Sequence, residues 1–325
     1  MLAIVAPGQG AQKPGFLTPW LADSVIAEQL TAYSAAAGLD LAQFGTEADE
    51  DTIRDTAVAQ PLLVAAGLIA TRSLLPTPDD LDSVGVVAGH SVGEITAAAV
   101  VGTLNDTDAM TLVAERGRRM AEASAARPTS MSAVIGGDPA EVLARIAETG
   151  LTAANNNGKG QIVAAGTGEE LAALAENPPT RARVIPLSVA GAFHTKHMAP
   201  AVTQLATLAD TLQAADPRTR LLSNADGQQV ADGAEVVRRI VGQVANPVRW
   251  DLCMATMADL GVTGLLEVMP AGTLTGIAKR NLRGVDLFAL NTPEQLGEAR
   301  EFVSRHGGEI TRHSAESAPD DGPAA

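Results

Sequence analysis

The chain has 325 residues, 46% hydrophobic and only 2% aromatic, with a formal net charge of −15 at pH 7. This excludes a disordered chain and a general nucleic-acid binder, and it requires a core built from Ala, Val, Leu and Ile. The single cysteine, Cys253, excludes an internal disulfide and points to a reducing compartment, the cytoplasm.

Leu2–Ala6 is predicted as a short buried strand, followed by the glycine-rich loop Pro7-Gly8-Gln9-Gly10-Ala11-Gln12. Position 13 is Lys, so the third glycine of a dinucleotide fingerprint is missing. The N-terminus has no basic region leading into a long apolar run, so no signal peptide is expected. Residues 22–40 and Ala57–Leu75 are predicted helices, the second tolerating Pro61 near its start. The longest apolar run, Leu62–Ala70, is too short to cross a bilayer, and no membrane partner is expected.

Val84–Ala88 is a predicted strand that runs into Gly89-His90-Ser91-Val92-Gly93 and then into a helix starting at the serine. This is G-x-S-x-G in the context it requires, strand then sharp turn then helix, which lifts a serine hydroxyl clear of the backbone. By itself the spacing also fits an idle serine on a glycine-rich turn. Asn105 caps a predicted helix running to about Ala125, whose apolar stripe is Val113, Gly117 and Met120. Arg116 falls on that stripe. An inward guanidinium needs a partner, either a structural carboxylate or the carboxylate of a substrate. Arg118 and Arg119 are expected to face solvent.

A boundary is predicted at Arg127–Ser130. Beyond it come strand Met131–Ile135, helix Pro139–Glu148, strands Leu151–Asn155 and Gln161–Ala165, helix Glu169–Leu174 and strand Ala182–Ala190. That βαββαβ order is the ferredoxin-like pattern. Gly191-Ala192-Phe193-His194 is expected to end the last strand, before a helix carrying Met198, Val202, Leu205, Leu208 and Leu212. His194 would then sit at a helix N-terminus, which lowers an imidazole pKa and suits a general base. The remainder reads as strand Leu221–Ser223, a turn at Asn224–Gly227, helices Gly233–Val241 and Asp251–Leu260, strand Gly264–Val268, helix Pro270–Arg280 and strand Asp286–Leu290. The Ser/Ala/Pro/Asp-rich tail, 306–325, is expected to be disordered. No internal repeat is visible.

Five separated segments together resemble one family. PGQGAQ at 7–12, GHSVGE at 89–94, RG at 116–117, GAFH at 191–194 and QVANPVRW at 243–250 are similar to the malonyl-CoA:acyl carrier protein transacylases. The resemblance spans roughly residues 1–290. It implies an α/β fold, an α/β-hydrolase-like core with a mostly parallel sheet at 1–126 and 195–305, interrupted by a ferredoxin-like subdomain at 127–194. It implies transfer of a malonyl group from malonyl-CoA, through an ester on Ser91, to the phosphopantetheine thiol of an acyl carrier protein for fatty-acid or polyketide synthesis. In that scheme His194 is the base, and the backbone N–H groups of Gln9 and Val92 form the oxyanion hole. Arg116 binds the malonyl carboxylate, and Phe193 crowds out an α-methyl branch. The main-chain carbonyl of Gln243 orients His194 in place of the usual Asp. No metal and no bound cofactor are expected.

The chain departs from the family at Glu267-Val268-Met269-Pro270-Ala271, where Met269 and Ala271 replace two glycines. Lys196, Lys279, Arg280 and Arg283 are candidate contacts for the carrier protein. The competing readings are a serine esterase or thioesterase, with Asp106, Asp108 or Asp138 as third triad member, and a non-catalytic docking module.

Overall fold

The computed structural model describes residues 1–307. Its ten strands, in chain order, are β1 (Leu2–Ala6), β2 (Val86–Gly89), β3 (Thr129–Gly136), β4 (Thr152–Asn156), β5 (Gln161–Thr167), β6 (Ala182–Pro186), β7 (Arg220–Leu221), β8 (Val248–Arg249), β9 (Gly264–Glu267) and β10 (Asp286–Ala289). They form two sheets, ordered β10-β9-β1-β2-β7 and β6-β3-β5-β4-β8.

The first sheet is parallel throughout. Its central strand β1 is buried at every residue, as a strand covered on both faces must be. Successive side chains of a strand point to opposite faces. Accordingly Leu2, Ile4 and Ala6 join the larger core, with the helices Thr56–Leu74, Gly93–Val100 and Asp106–Ala126. Ala3 and Val5 join the smaller core on the other face, with the helices Trp250–Asp259 and Thr273–Asn281. The fold is therefore α/β with a parallel main sheet.

In the second sheet β3 lies between β6 and β5, and β5 pairs with β4, all antiparallel. The helices Pro139–Glu148 and Gly168–Glu176 close a separate apolar cluster over these strands. The outer strand β8 pairs with β4 in parallel, Asn155 opposite Val248 and Asn156 opposite Arg249. Two residues from the distal part of the chain thus extend the smaller sheet.

Several expectations are corrected. The strand expected to reach Ala190 stops at Pro186, so Gly191–His194 ends no strand. Pro186 offers no N–H for a further ladder bond, and the last backbone bond to β3 is Leu187 N–H to Met131 O. Leu212 lies beyond the helix Ala199–Ala209. The apolar run 62–70 belongs to a 19-residue helix, long and apolar enough by those two measures to cross a membrane, yet most of it is buried in the core. Helices Leu41–Thr46, Glu50–Arg54 and Leu296–His306 were not expected. The last of these uses the first residue of the expected tail; residues 308–325 lie outside the described residues. The segment with the two replaced glycines leads into a helix that starts at Thr273, not Pro270. There the buried Glu267 carboxylate accepts from the N–H groups of Gly272, Leu274 and Thr275, a cap supplied from β9.

Candidate active site

The turn after β2 owes its shape to packing. A Cβ on Gly89 would overlap the Gly93 carbonyl, and one on Gly93 would overlap the Ala6 carbonyl. Both motif glycines are therefore required by close backbone approach rather than by φ. Ser91 between them has φ 54°, a conformation that L-residues with side chains adopt only under constraint. That value is incompatible with a helix starting at the serine. The turn instead closes with Gly93 N–H to His90 O, Glu94 N–H to Ser91 O and Ile95 N–H to Val92 O, and the helix begins at Gly93. The loop after β1 lies directly against this turn. A Cβ on Gly8 would come within 3.0 Å of both His90 Nδ1 and His90 O, and 3.6 Å of Ser91 Cβ. The half-buried Gln9 is anchored there by its side chain, which donates to Arg54 O at 3.1 Å.

Ser91 Oγ lies 2.7 Å from His194 Nε2. His194 also has a left-handed backbone, φ 59°, and only one further non-glycine among the described residues, Arg181, shares that sign. The imidazole is held from the rear. Its Nδ1 donates to the main-chain O of Gln243 at 2.8 Å, and its backbone N–H donates to Val244 O at 3.2 Å. These carbonyls belong to the C-terminal end of the helix Gly233–Gln243. His194 therefore faces a helix C-terminus with its side chain, while its backbone directly precedes Thr195, which caps the helical turn Lys196–Met198 leading into the helix Ala199–Ala209. Its pKa is nonetheless lowered, to about 3. Burial is the main cause, followed by the positive charge of Arg116, while the Gln243 carbonyl works in the opposite direction. The ring is thus held neutral, with Nε2 facing Ser91 Oγ.

Arg116 is 1% exposed. Gly117 brings its helix onto Thr56–Leu74, since a Cβ there would meet Thr56 O at 2.8 Å. The guanidinium is thereby pressed among amides rather than against a carboxylate. Nη1 donates to Gln60 Oε1 at 2.6 Å and Nη2 to Gln243 Oε1 at 3.2 Å, with Ser91 Oγ 3.4 Å from the same Nη2. Nothing among the described residues accepts from its Nε. The acidic group this network reaches, Glu94, is one residue removed, since Gln243 Nε2 donates to Glu94 Oε2. Burial lowers Arg116 to about 10 and raises Glu94 to about 8. Arg118 and Arg119, by contrast, pair with Glu115 and Glu122 on their own helix.

Phe193, next to His194, is buried at 7% exposure, and Val92, next to Ser91, at 1%. The half-buried His90 donates from Nε2 to Asn157 Oδ1, 2.9 Å away, which joins the turn to the smaller sheet's unit. Lys196, Lys279, Arg280 and Arg283 are all exposed. Among the described residues no group of three or more His, Cys, Asp or Glu is placed to hold a metal ion. The structure thus brings Ser91, His194, Arg116 and Gln243 into one bonded cluster. Sequence reasoning missed Gln60, Glu94, Asn157 and Asn224. Gln60 carried a signal as the lone polar side chain between Thr56 and Thr71, and Glu94 as the lone carboxylate between Asp82 and Asp106; Asn224 looked like an ordinary turn residue.

Comparison with known proteins bears on this cluster. The family described as "Acyl transferase domain" matches residues 4–296. The malonyl CoA-acyl carrier protein transacylase of Mycobacterium tuberculosis (strain H37Rv) is 51% identical over 298 residues, covering 92% of this chain and 99% of the relative. The crystal structure of MCAT from Mycobacterium tuberculosis superposes with a TM-score of 0.89, again covering 92% of this chain and 99% of that one. A malonyl-transacylase solved in complex with a type II PKS acyl-carrier protein superposes with a TM-score of 0.84 at 28% identity, covering 92% of this chain and 99% of that one. The chain belongs to the acyl transferase domain family and, within it, to the malonyl CoA-acyl carrier protein transacylases.

Proposed function

We propose that this chain transfers a malonyl group from malonyl-CoA to the phosphopantetheine thiol of an acyl carrier protein. The observation that carries the reading is one oxygen, Ser91 Oγ, lying 2.7 Å from a buried imidazole and 3.4 Å from a buried guanidinium. A serine hydroxyl needs an adjacent base to become a nucleophile. In our scheme Ser91 Oγ attacks the thioester carbonyl and its proton passes to His194 Nε2. The tetrahedral intermediate collapses with cleavage of the C–S bond, and His194 returns the proton to the departing CoA thiol. The carrier's thiol then gives its proton to His194, attacks the malonyl-serine ester and leaves as the malonyl thioester, while Ser91 recovers the proton.

The backbone N–H groups of Gln9 and Val92 are the proposed oxyanion donors, each contributing about 3 kcal/mol to the barrier. The packing of the Gly8–Gln9 loop on the turn supports that pairing. Arg116 is the proposed seat of the malonyl carboxylate, and the 3.4 Å between its Nη2 and Ser91 Oγ supports this, because a guanidinium beside the nucleophile can donate to a carboxylate bound there. The Gln243 carbonyl is the proposed orienting group for His194, and Phe193 the group that disfavours an α-methyl branch. The scheme calls on no resident cofactor or metal.

The relatives' names and the carrier-bound neighbour fit malonyl-CoA and acyl carrier protein as partners, in fatty-acid or polyketide synthesis. We read the main sheet as an α/β-hydrolase-like core at 1–126 and 195–305. The order β6-β3-β5-β4 supports a ferredoxin-like subdomain at 127–194. Cys253, free and buried, fits the reducing cytoplasm. Intact-mass analysis after treatment with malonyl-CoA tests the reading. One malonyl group on Ser91, discharged when phosphopantetheinylated carrier protein is added, is the expected result. Hydrolysis of malonyl-CoA without transfer, or an ester on another residue, would overturn it.

A further inference from the structure

Asn224 is completely buried, just beyond β7, and its side chain reaches under the turn that carries Ser91. Its Oδ1 accepts from the Ser91 backbone N–H at 2.8 Å, and its Nδ2 donates to Gly89 O at 2.7 Å. These two partners fix the amide's orientation, since the reverse would set donor against donor and acceptor against acceptor. One side chain therefore clasps the strained residue from both ends, at the close of β2 and at the serine itself. The backbone N–H of Asn224 donates to Glu94 Oε1 at 2.6 Å, which ties in the first turn of the following helix. Its Oδ1 also accepts from Gln243 Nε2 at 3.0 Å, and the other end of that amide holds Arg116.

Without this clasp two buried main-chain groups lose their partners, at a cost of about 1–3 kcal/mol each, comparable with the about 1–3 kcal/mol needed to hold a non-glycine residue at positive φ. The turn would then relax, and Ser91 Oγ would swing away from His194 Nε2. We propose that Asn224 is a positioning residue for acyl transfer, setting the conformation of the Ser91 turn so that Oγ meets the imidazole. This rests on Ser91 being the acyl acceptor. Asn224 touches neither substrate nor reacting atom; it acts through the turn.

The test is rapid-quench acylation by malonyl-CoA, read by intact mass, on wild type, Asn224→Ala and Asn224→Asp, with thermal melts alongside. In Asn224→Ala the first-order acylation rate at saturation should fall about a hundredfold, the loss expected for a nucleophile displaced by about an ångström. The half-saturating malonyl-CoA concentration should stay within about threefold of wild type, because Gln60 holds Arg116 independently. Asn224→Asp keeps the acceptor for the Ser91 N–H and should recover part of the rate. A folded Asn224→Ala variant acylating within about threefold of wild type would overturn the proposal. If the Ala variant does not fold, Asn224→Asp decides: a reduced saturating rate with unchanged half-saturation supports positioning, and a wild-type rate overturns it. Wild-type protein that gains no malonyl group on Ser91 would instead remove the acyl-transfer reading on which the proposal stands.

Discussion

The two stretches that supply Ser91 and His194 reach the same unusual backbone conformation by opposite means. The stretch 84–100 is strand, tight turn and helix, and its shape follows from glycines pressed onto neighbouring main chain. The stretch 187–195 has no regular structure. It is held by hydrogen bonds to distant segments: Ala192 N–H to Thr129 Oγ1, His194 N–H to Val244 O and the imidazole to Gln243 O. The first is shaped by close backbone packing and clasped by one buried amide, Asn224, while the second is held by polar contacts alone. A displaced methyl group should therefore wreck one, and a deleted hydroxyl should merely loosen the other.

The largest expected effect removes the chemistry without touching either construction. Ser91→Ala should take up no malonyl group and lose on the order of 10⁴-fold or more in transfer, by analogy with other serine nucleophiles. A residual adduct by mass would break the assignment. Next comes Arg116→Ala, which should cost malonyl transfer about 10²–10³-fold while raising activity on acetyl groups relative to malonyl, since the lost contact is to a carboxylate. Parallel rates with malonyl-CoA and acetyl-CoA check this.

The contrast itself is probed by Gly93→Ala against Thr129→Val. The added Cβ of Gly93→Ala meets backbone that cannot yield, so stability should fall by at least about 3 kcal/mol, seen in a urea melt. Thr129→Val leaves one N–H unpaired. It should cost about 1–2 kcal/mol and reduce kcat severalfold through a looser His194. Equal losses in the two variants would dissolve the distinction.

A separate effect lies in the pH dependence of stability. Because His194 is lowered to about 3 in the fold from an ordinary value of 6.5, the folded protein binds fewer protons than the unfolded chain between those values. Stability from the neutral ring is complete above pH 6.5 and is lost as pH falls through that window. Glu94, raised from 4.5 to about 8, has the opposite sign: its contribution is complete below pH 4.5 and declines as pH rises through 8. Melting temperatures should accordingly fall less steeply on acidification in His194→Gln, and less steeply on alkalisation in Glu94→Gln, than in wild type.

The same contrast explains what the sequence revealed. The Ser91 turn was legible because its glycine spacing is written within five residues between a β-rich run and a helix-forming one, although Ala6 and Asn224, which pack on it, lie far away in the chain. The surroundings of His194 were not, because its partners lie about fifty residues away. The segment 187–190 prolonged the strand pattern past Pro186, and the helix end that faces the imidazole, Gly233–Gln243, arrives from elsewhere in the chain. Arg116 was legible as an inward charge but not in its partners. A helical stripe shows which way a side chain faces, while the amides of Gln60 and Gln243 arrive from other elements. The α/β alternation was readable throughout, whereas β8, two residues long, had too little sequence to leave a pattern.

The outermost strand of the smaller sheet, β6, leaves one row of main-chain groups unpartnered, with Ile185 exposed at 44%. Such a rim invites stacking of one molecule onto the next and, from there, aggregation. Arg183 and Pro186 sit on the same short strand, one adding charge and the other removing a donor. They make β6 a poor template for a sixth strand, which works against edge-to-edge association of one copy with the next.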